Sequence, residues 1–228
     1  MSSQTERWLL AIVAAASVVM AATLVHREFF APAPAVGTAA RLPAPTYVAE
    51  WKQALPFSIR DGVSTAPVTL VVLSDLECPA CAGFSRTLDR MRQHHPADVS
   101  VAFVHWPLTS IHRFALPAAR AAECADAAGR FNAFAKLVYG KRDSIGLKSW
   151  ASYAADAGVS DTITFARCMR TTNTARIDSG TAFATRIGAI GTPAVLVNGW
   201  LLSHVPSEAE LEGALANVKR GSAPFGDK

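Results

Sequence analysis

Two cysteines three positions apart, in Cys78-Pro79-Ala80-Cys81, stand between an apolar run and an amphipathic one, and no other stretch limits the choice of fold so tightly. The run ahead of them, Val68-Thr69-Leu70-Val71-Val72-Leu73, is uncharged and rich in β-branched residues, the composition of a strand buried on both faces. It ends at Ser74-Asp75. Pro79 then fits the first turn of a helix, where its missing N–H would have had no intrahelical partner and its fixed φ already suits the helix. Beyond it Cys81, Phe84, Leu88 and Met91 recur at spacings of three, four and three, which gathers them on one helical face. The pattern turns Cys81 toward a core and leaves Cys78 at the exposed tip of the helix.

That asymmetry has a chemical consequence. Unpaired N–H groups and the positive end of the helix dipole meet at the Cys78 sulfur and favour its thiolate, the form that attacks a disulfide. Cys81, one turn further in, is expected to stay protonated until it resolves a mixed disulfide. An inert disulfide, or half of a zinc site, is the competing reading. A four-ligand zinc site needs a second Cys or His pair at matching spacing, and none stands out, so no metal ligand and no cofactor is assigned. Strand, Cys-x-x-Cys and amphipathic helix follow in the order that a thioredoxin-like α/β fold requires.

The ends of the chain carry a different signal. Residues 8–25 form an uncharged run of 18 residues in the 228-residue sequence. As a helix it spans about 27 Å, close to the roughly 30 Å of a bilayer's hydrocarbon core. Residues 1–28 therefore read as an N-terminal membrane anchor or a signal sequence. Ala31 and Ala33 could frame a cleavage site, although Pro32 and Pro34 make it a poor one, and the uncleaved anchor is the favoured reading. Either places the rest of the chain outside the cytoplasm, on the periplasmic or extracytoplasmic side of a bacterial inner membrane. Residues 29–49 are Pro- and Ala-rich, with too little bulky apolar surface to fold, and read as a spacer. Residues 50–228 remain for one catalytic domain. The formal charge of +4 comes from 22 basic and 18 acidic residues scattered along the sequence, so no basic block suits a phosphate backbone and nucleic acid is excluded as a partner.

After the cysteine motif, residues 99–106 (VSVAFVHW) read as a second strand ended by Pro107. About 80 helical residues follow, with an Ala-rich stretch at 115–128 interrupted by Pro117, an apolar stripe of Phe131, Phe134, Leu137 and Val138, and helices at 150–157 and 162–169. This makes a helical insert, about 108–186, between two halves of a sheet. The sheet resumes at Ala194-Val195-Leu196-Val197, and Asn198-Gly199 before Trp200-Leu201-Leu202 predicts a two-residue hairpin. Ser207 and Glu210 form a capping box ahead of a closing helix. Gly191-Thr192-Pro193, at the entry to the third strand, points to a cis bond that would leave a backbone edge free beside Cys78 for an extended substrate.

Ala66-Pro67-Val68-Thr69, Ser74-Asp75-Leu76-Glu77-Cys78-Pro79-Ala80-Cys81, Pro107-Leu108 with His112, Gly191-Thr192-Pro193 and Asn198-Gly199 together resemble the DsbA-like thioredoxin family, over about residues 60 to 220. The resemblance implies an exported thiol-disulfide oxidoreductase acting on cysteines of other exported proteins, with Cys78 as nucleophile, Cys81 as resolving thiol and Thr192-Pro193 as the substrate-binding cis-proline loop. It departs from the family at Val72, where members commonly carry a buried Glu or Asp that moves the proton of the inner thiol; water, Asp75 or Glu77 would have to serve instead. Pro79-Ala80 also lacks the His that strongly oxidising members place between their cysteines.

Cys124 and Cys168 lie in the helical insert, and in an oxidising compartment two leftover cysteines are expected to form a structural disulfide rather than remain buried thiols. The histidines are spread over different elements and none is assigned a catalytic role, although His105 and His112 flank Pro107 and so approach the redox face. The leading reading is a membrane-tethered monomer that forms, or reduces and rearranges, disulfides in exported proteins and is recycled by a membrane redox partner. With no separate dimerisation domain, oxidase is favoured over isomerase. The alternative is a non-enzymatic exported protein that binds or delivers a soft metal such as copper through the same cysteine pair.

Overall fold

The computed structural model describes residues 3–29 and 43–226, which belong to two units, 1–42 and 43–228. In the first, helix α1 (Ser3–Phe29) includes a segment, Arg7–Arg27, long and apolar enough to cross a membrane. Residues 30–42, with most of the spacer and the cleavage-site residues Ala31 and Ala33, lie outside the described residues.

The second unit runs β1 (Thr46–Tyr47), a 3-10 turn at Trp51–Phe57, β2 (Ile59–Asp61), β3 (Val68–Ser74), α2 (Pro79–His94) and β4 (Val99–His105). Five helices follow: α3 (Ala115–Ala127), α4 (Phe131–Gly140), α5 (Trp150–Asp156), α6 (Thr162–Thr171) and α7 (Ala175–Arg186). The chain closes with β5 (Ala194–Val197), β6 (Trp200–Leu201) and α8 (Glu208–Lys219). The six strands form one sheet in the order β1-β6-β5-β3-β4-β2. β3 pairs parallel with β4, Val72 opposite Phe103, and antiparallel with β5, Val72 opposite Val195.

Helices cover both faces of that sheet, which explains why every residue of β3 and β4 is buried. On one face Val68, Leu70 and Val72 pack with Phe84, Leu88 and Met91 of α2 and with Leu211 and Leu215 of α8. On the other, Val71, Leu73, Ala102 and Val104 meet Phe183 and Ala184 of α7 and Trp51 of the 3-10 turn. The helical insert has its own core of Phe134, Val138, Tyr153 and Phe165, and that core is continuous with Leu76, Cys78 and Cys81.

Local chemistry fixes the remaining geometry. Asn198 (φ 47) and Gly199 (φ 91) make the tight hairpin between β5 and β6, with both residues in the left-handed region that a two-residue turn of this kind requires. The Asn198 side chain accepts from Thr69 N and donates to the Pro67 carbonyl, each at 2.8 Å, and so ties the hairpin to the start of β3. Ser207 and Glu210 form the reciprocal capping box that starts α8. Cys124 of α3 and Cys168 of α6 are joined in a disulfide with a Cα–Cα distance of 5.8 Å. Closing that span stabilises the fold by about 4 kcal/mol in the chain-entropy account.

Two features differ from the sequence reading. Pro117 does not interrupt its helix, because it falls within the first turn of α3, where its N–H would have had no partner. Ile59–Asp61, which the sequence reading did not mark as a strand, form β2 on the far edge beside β4; three residues are too few to show a period.

Helix α7 crosses β4 at a glycine. A Cβ on Gly180 would stand 2.2 Å from the His105 carbonyl oxygen, so the close approach depends on its absence. Gly180→Ala is expected to destabilise the fold by about 1–3 kcal/mol, the strain outweighing the better helix propensity of Ala. Urea denaturation measures it, and an unchanged or raised midpoint contradicts the crossing geometry.

Candidate active site

Cys78 is the N-cap of α2 and Pro79 its first residue, so the sulfur lies at the end of the helix where N–H groups are unpaired. Cys78 and Cys81 are free thiols. Cys81 is buried among Ala82 and the insert core, as its position on the helical face predicts. Cys78 is also buried, only 6% exposed, which corrects the expectation of an open tip. The reason is the loop opposite: Thr192-Pro193 is a cis peptide, and the Thr192 carbonyl accepts from the Cys78 thiol at 3.3 Å. The structure thus brings Cys78, Cys81, Thr192 and Pro193 together, and keeps the Cys124–Cys168 disulfide apart from them in the insert.

The two thiols differ sharply in acidity. A hydrogen bond from Cys81 holds the Cys78 pKa down at about 5 against the opposing effect of burial, with further help from the Thr192 hydroxyl and the backbone N–H groups of Cys81 and Ala80. Burial pushes the Cys81 thiol well above the ordinary range, and the neighbouring Cys78 adds to this; the Asp75 backbone and the Ser74 hydroxyl act weakly the other way. A thiolate at a helix N-terminus, with a protonated thiol one turn inside, is an arrangement able to exchange disulfides.

Around the pair, the acidic residues before the motif serve as clamps. Asp75 is 2% exposed and accepts from Glu77 N, from Leu108 N and from His112 Nδ1, each at 2.8 Å. Glu77 accepts from Phe114 N at 2.7 Å. Their carboxylates are therefore engaged with residues 107–114. His112 joins the site through Asp75, whereas His105 turns toward Glu123, 3.3 Å away, under the insert. Sequence reasoning passed over one further group: Ser74 Oγ lies 2.7 Å from Tyr139 Oη of α4, both buried. The two are 65 positions apart, and Tyr139 reads in sequence only as part of an apolar helix.

A family model described as thioredoxin matches residues 56–217. The chain belongs to the thioredoxin family. Among solved structures it is similar to BdbD from Bacillus subtilis (TM-score 0.64, 17% identity, covering 79% of this chain and 98% of that one). It is also similar to a periplasmic thioredoxin-like protein from Salmonella enterica serovar Typhimurium (TM-score 0.59, 25% identity, covering 78% and 99%). A curated relative, Na(+)/H(+) antiporter NhaA 1 of Mycolicibacterium gilvum, is 31% identical over 141 residues, 60% of this chain and 23% of that protein. The chain thus spans about a quarter of the length of that relative. The helical insert lies between β4 and β5, where the sequence motifs placed it.

The acidity of Cys78 has a testable sign. Its pKa falls on folding, so its thiolate stabilises the reduced protein in full above about pH 8.5, the ordinary thiol value, and this contribution is lost as pH falls through about 5. The raised pKa of Cys81 acts only above the ordinary thiol range, so Cys78 alone governs the interval between. Iodoacetamide alkylation of Cys78 is expected to reach half its plateau rate near pH 5 and to be flat from about pH 7 to 8. A rate still climbing tenfold per pH unit at neutrality would rule out the thiolate.

Proposed function

We propose that this chain is an exported, membrane-tethered thiol-disulfide oxidoreductase in which Cys78 and Cys81 carry a disulfide to cysteine-containing exported proteins. A substrate thiolate attacks the Cys78 sulfur, Cys81 leaves, and a mixed disulfide forms. A second substrate thiolate then attacks its own bound sulfur, and Cys78 leaves as a thiolate. The substrate is oxidised and the cysteine pair reduced, two protons passing from substrate thiols to solvent or to Cys81. Thr192 and Pro193 border the pair where an extended segment would align its backbone. A membrane redox partner then takes the electrons and restores the disulfide.

The observation that carries this reading is the placement of the pair, Cys78 at the N-cap of α2 against Thr192 and Cys81 buried one turn further in, which favours a thiolate at Cys78. A group that stabilises the thiolate stabilises the reduced pair, and so makes the disulfide the better oxidant. Localisation is supported by α1, whose apolar segment would hold the domain at the membrane, and by the Cys124–Cys168 disulfide, a bond that persists outside a reducing cytosol.

The equilibrium reduction potential of the Cys78–Cys81 couple against glutathione tests the direction of exchange. A value between about −120 and −180 mV is expected of a disulfide donor. One near about −270 mV would make the protein a reductase needing an electron supply.

A further inference from the structure

The active pair is bordered on its inner side by the helical insert. A cavity of about 60 Å³ lies between α2, α4 and the sheet, and its wall includes Val72, Ser74, Cys81 and Tyr139. Inside it the Ser74 and Tyr139 hydroxyls are hydrogen-bonded at 2.7 Å. Ser74 ends β3, and it lines this cavity together with Cys81. Val72, the position from which relatives are expected to present a carboxyl, contributes only methyl groups to the same wall.

We infer that Ser74 and Tyr139 form a donor chain that stabilises the Cys81 thiolate whenever exchange requires it, with Tyr139 positioning Ser74 and Ser74 facing the reacting sulfur. Tyr139 keeps its proton, because burial and the nearby sulfurs raise its pKa well above the usual value; either hydroxyl of the pair can donate to the other, and the chain operates with Tyr139 as donor, which leaves the Ser74 hydrogen for Cys81. The inference rests on the oxidoreductase reading. Resolution of a mixed disulfide shows the step. The Cys81 S–H proton passes to solvent, the sulfur attacks Cys78 Sγ, and a Cys78–Cys81 bond forms as the bond from Cys78 to the substrate sulfur breaks. The electron pair leaves with that sulfur, so the pair is oxidised and the substrate reduced. In the oxidase direction Cys81 is the leaving group, and the same donors serve it. Buried in this apolar wall, an anion without donors would be strongly disfavoured.

Other titratable groups nearby are accounted for. Cys78 faces Cys81 from the helix start, and Asp75, on the loop between β3 and α2, is saturated by His112 and two backbone N–H groups. Asp61 of β2, Asp89 and Arg92 of α2 and Lys136 of α4 line the outer part of the cavity, where Arg92 pairs with both aspartates and Lys136 with Asp89.

The test uses the full chain purified in detergent, reduced at Cys78 and Cys81, and mixed with 5,5′-dithiobis(2-nitrobenzoate) in a stopped-flow instrument. Attack by Cys78 releases one nitrothiobenzoate and attack by Cys81 on the resulting mixed disulfide releases a second, so two phases report the two sulfurs. In Tyr139→Phe the first phase is expected to be unchanged. The second should slow roughly fivefold and shift its pH profile upward by somewhat less than one unit, the effect of losing the one neutral hydrogen bond that positions Ser74. Ser74→Ala should slow it at least as much, and Ser74→Thr, which keeps the hydroxyl, should restore it. A second phase with native rate and pH profile in both Tyr139→Phe and Ser74→Ala overturns the inference. Release of only one equivalent by the unaltered protein would instead refute the redox-pair reading, and the inference with it.

Discussion

A difference in environment across a single helical turn is the constraint on which the rest of this structure depends. Cys78, at the end of α2, receives hydrogen bonds that an anion can use, while Cys81 is enclosed by apolar side chains that disfavour one. Neither property belongs to cysteine itself. The first comes from ending β3 so that α2 begins at the sulfur, and the second from packing α2 against the sheet through Phe84, Leu88 and Met91. Sheet, helix and chemistry are thus one problem: moving the helix start would take both sulfurs out of the surroundings that distinguish them.

Holding that helix start takes more than the helix. The chain between β3 and α2 would be free to shift were it not for Asp75, whose buried carboxylate gathers Leu108, His112 and Glu77, and for Glu77, which takes the Phe114 N–H. The bonds to Leu108, His112 and Phe114 join the approach to the cysteines with the segment that begins the helical insert, and the one from Glu77 N closes the loop on itself. A buried carboxylate is costly to desolvate, and three hydrogen bonds offset that cost while fixing the loop. From the other side Thr192-Pro193 lies against Cys78, positioned by β5 and by the register that sets Ala194 opposite Leu73. The pair is therefore gripped between two loops that the sheet itself aligns.

Much of this was legible in the sequence because its signals are local. A β-branched run, a Pro at the first helical position, a three-four-three spacing, Asn198-Gly199 and a capping box each state their structure within a few residues, and the order of elements followed from them. Other features were not legible, because they depend on residues far apart. Nothing near Tyr139 distinguishes it from a core aromatic, and its partner Ser74 is 65 positions away. The covering of Cys78 follows from the loop at Thr192, 114 positions on, so the helix alone made the sulfur look open. Asp75 and Glu77 were visible as acids near a thiol, but their engagement with residues 107–114 depends on how the insert folds back.

The insert, finally, is more than a lid added to a thioredoxin sheet. Its core is continuous with Cys78, Cys81 and Leu76 and takes in Ile59 and Phe103 of the sheet, so insert and sheet together build the apolar surroundings that keep Cys81 protonated. Its helices α3 and α6 are cross-linked by Cys124–Cys168, outside the reacting pair. Arg176 at the start of α7 then ties Glu123 and Asp126 of α3 to the Ser58 carbonyl beside β2. Such bracing matters because the burial of Cys81 is only as constant as the packing that produces it; a loosened insert would admit water and let the two thiols converge in acidity. The covalent bond in the insert and the exchangeable bond at the active site are thus linked through packing, the first keeping the surroundings in which the second is made and broken.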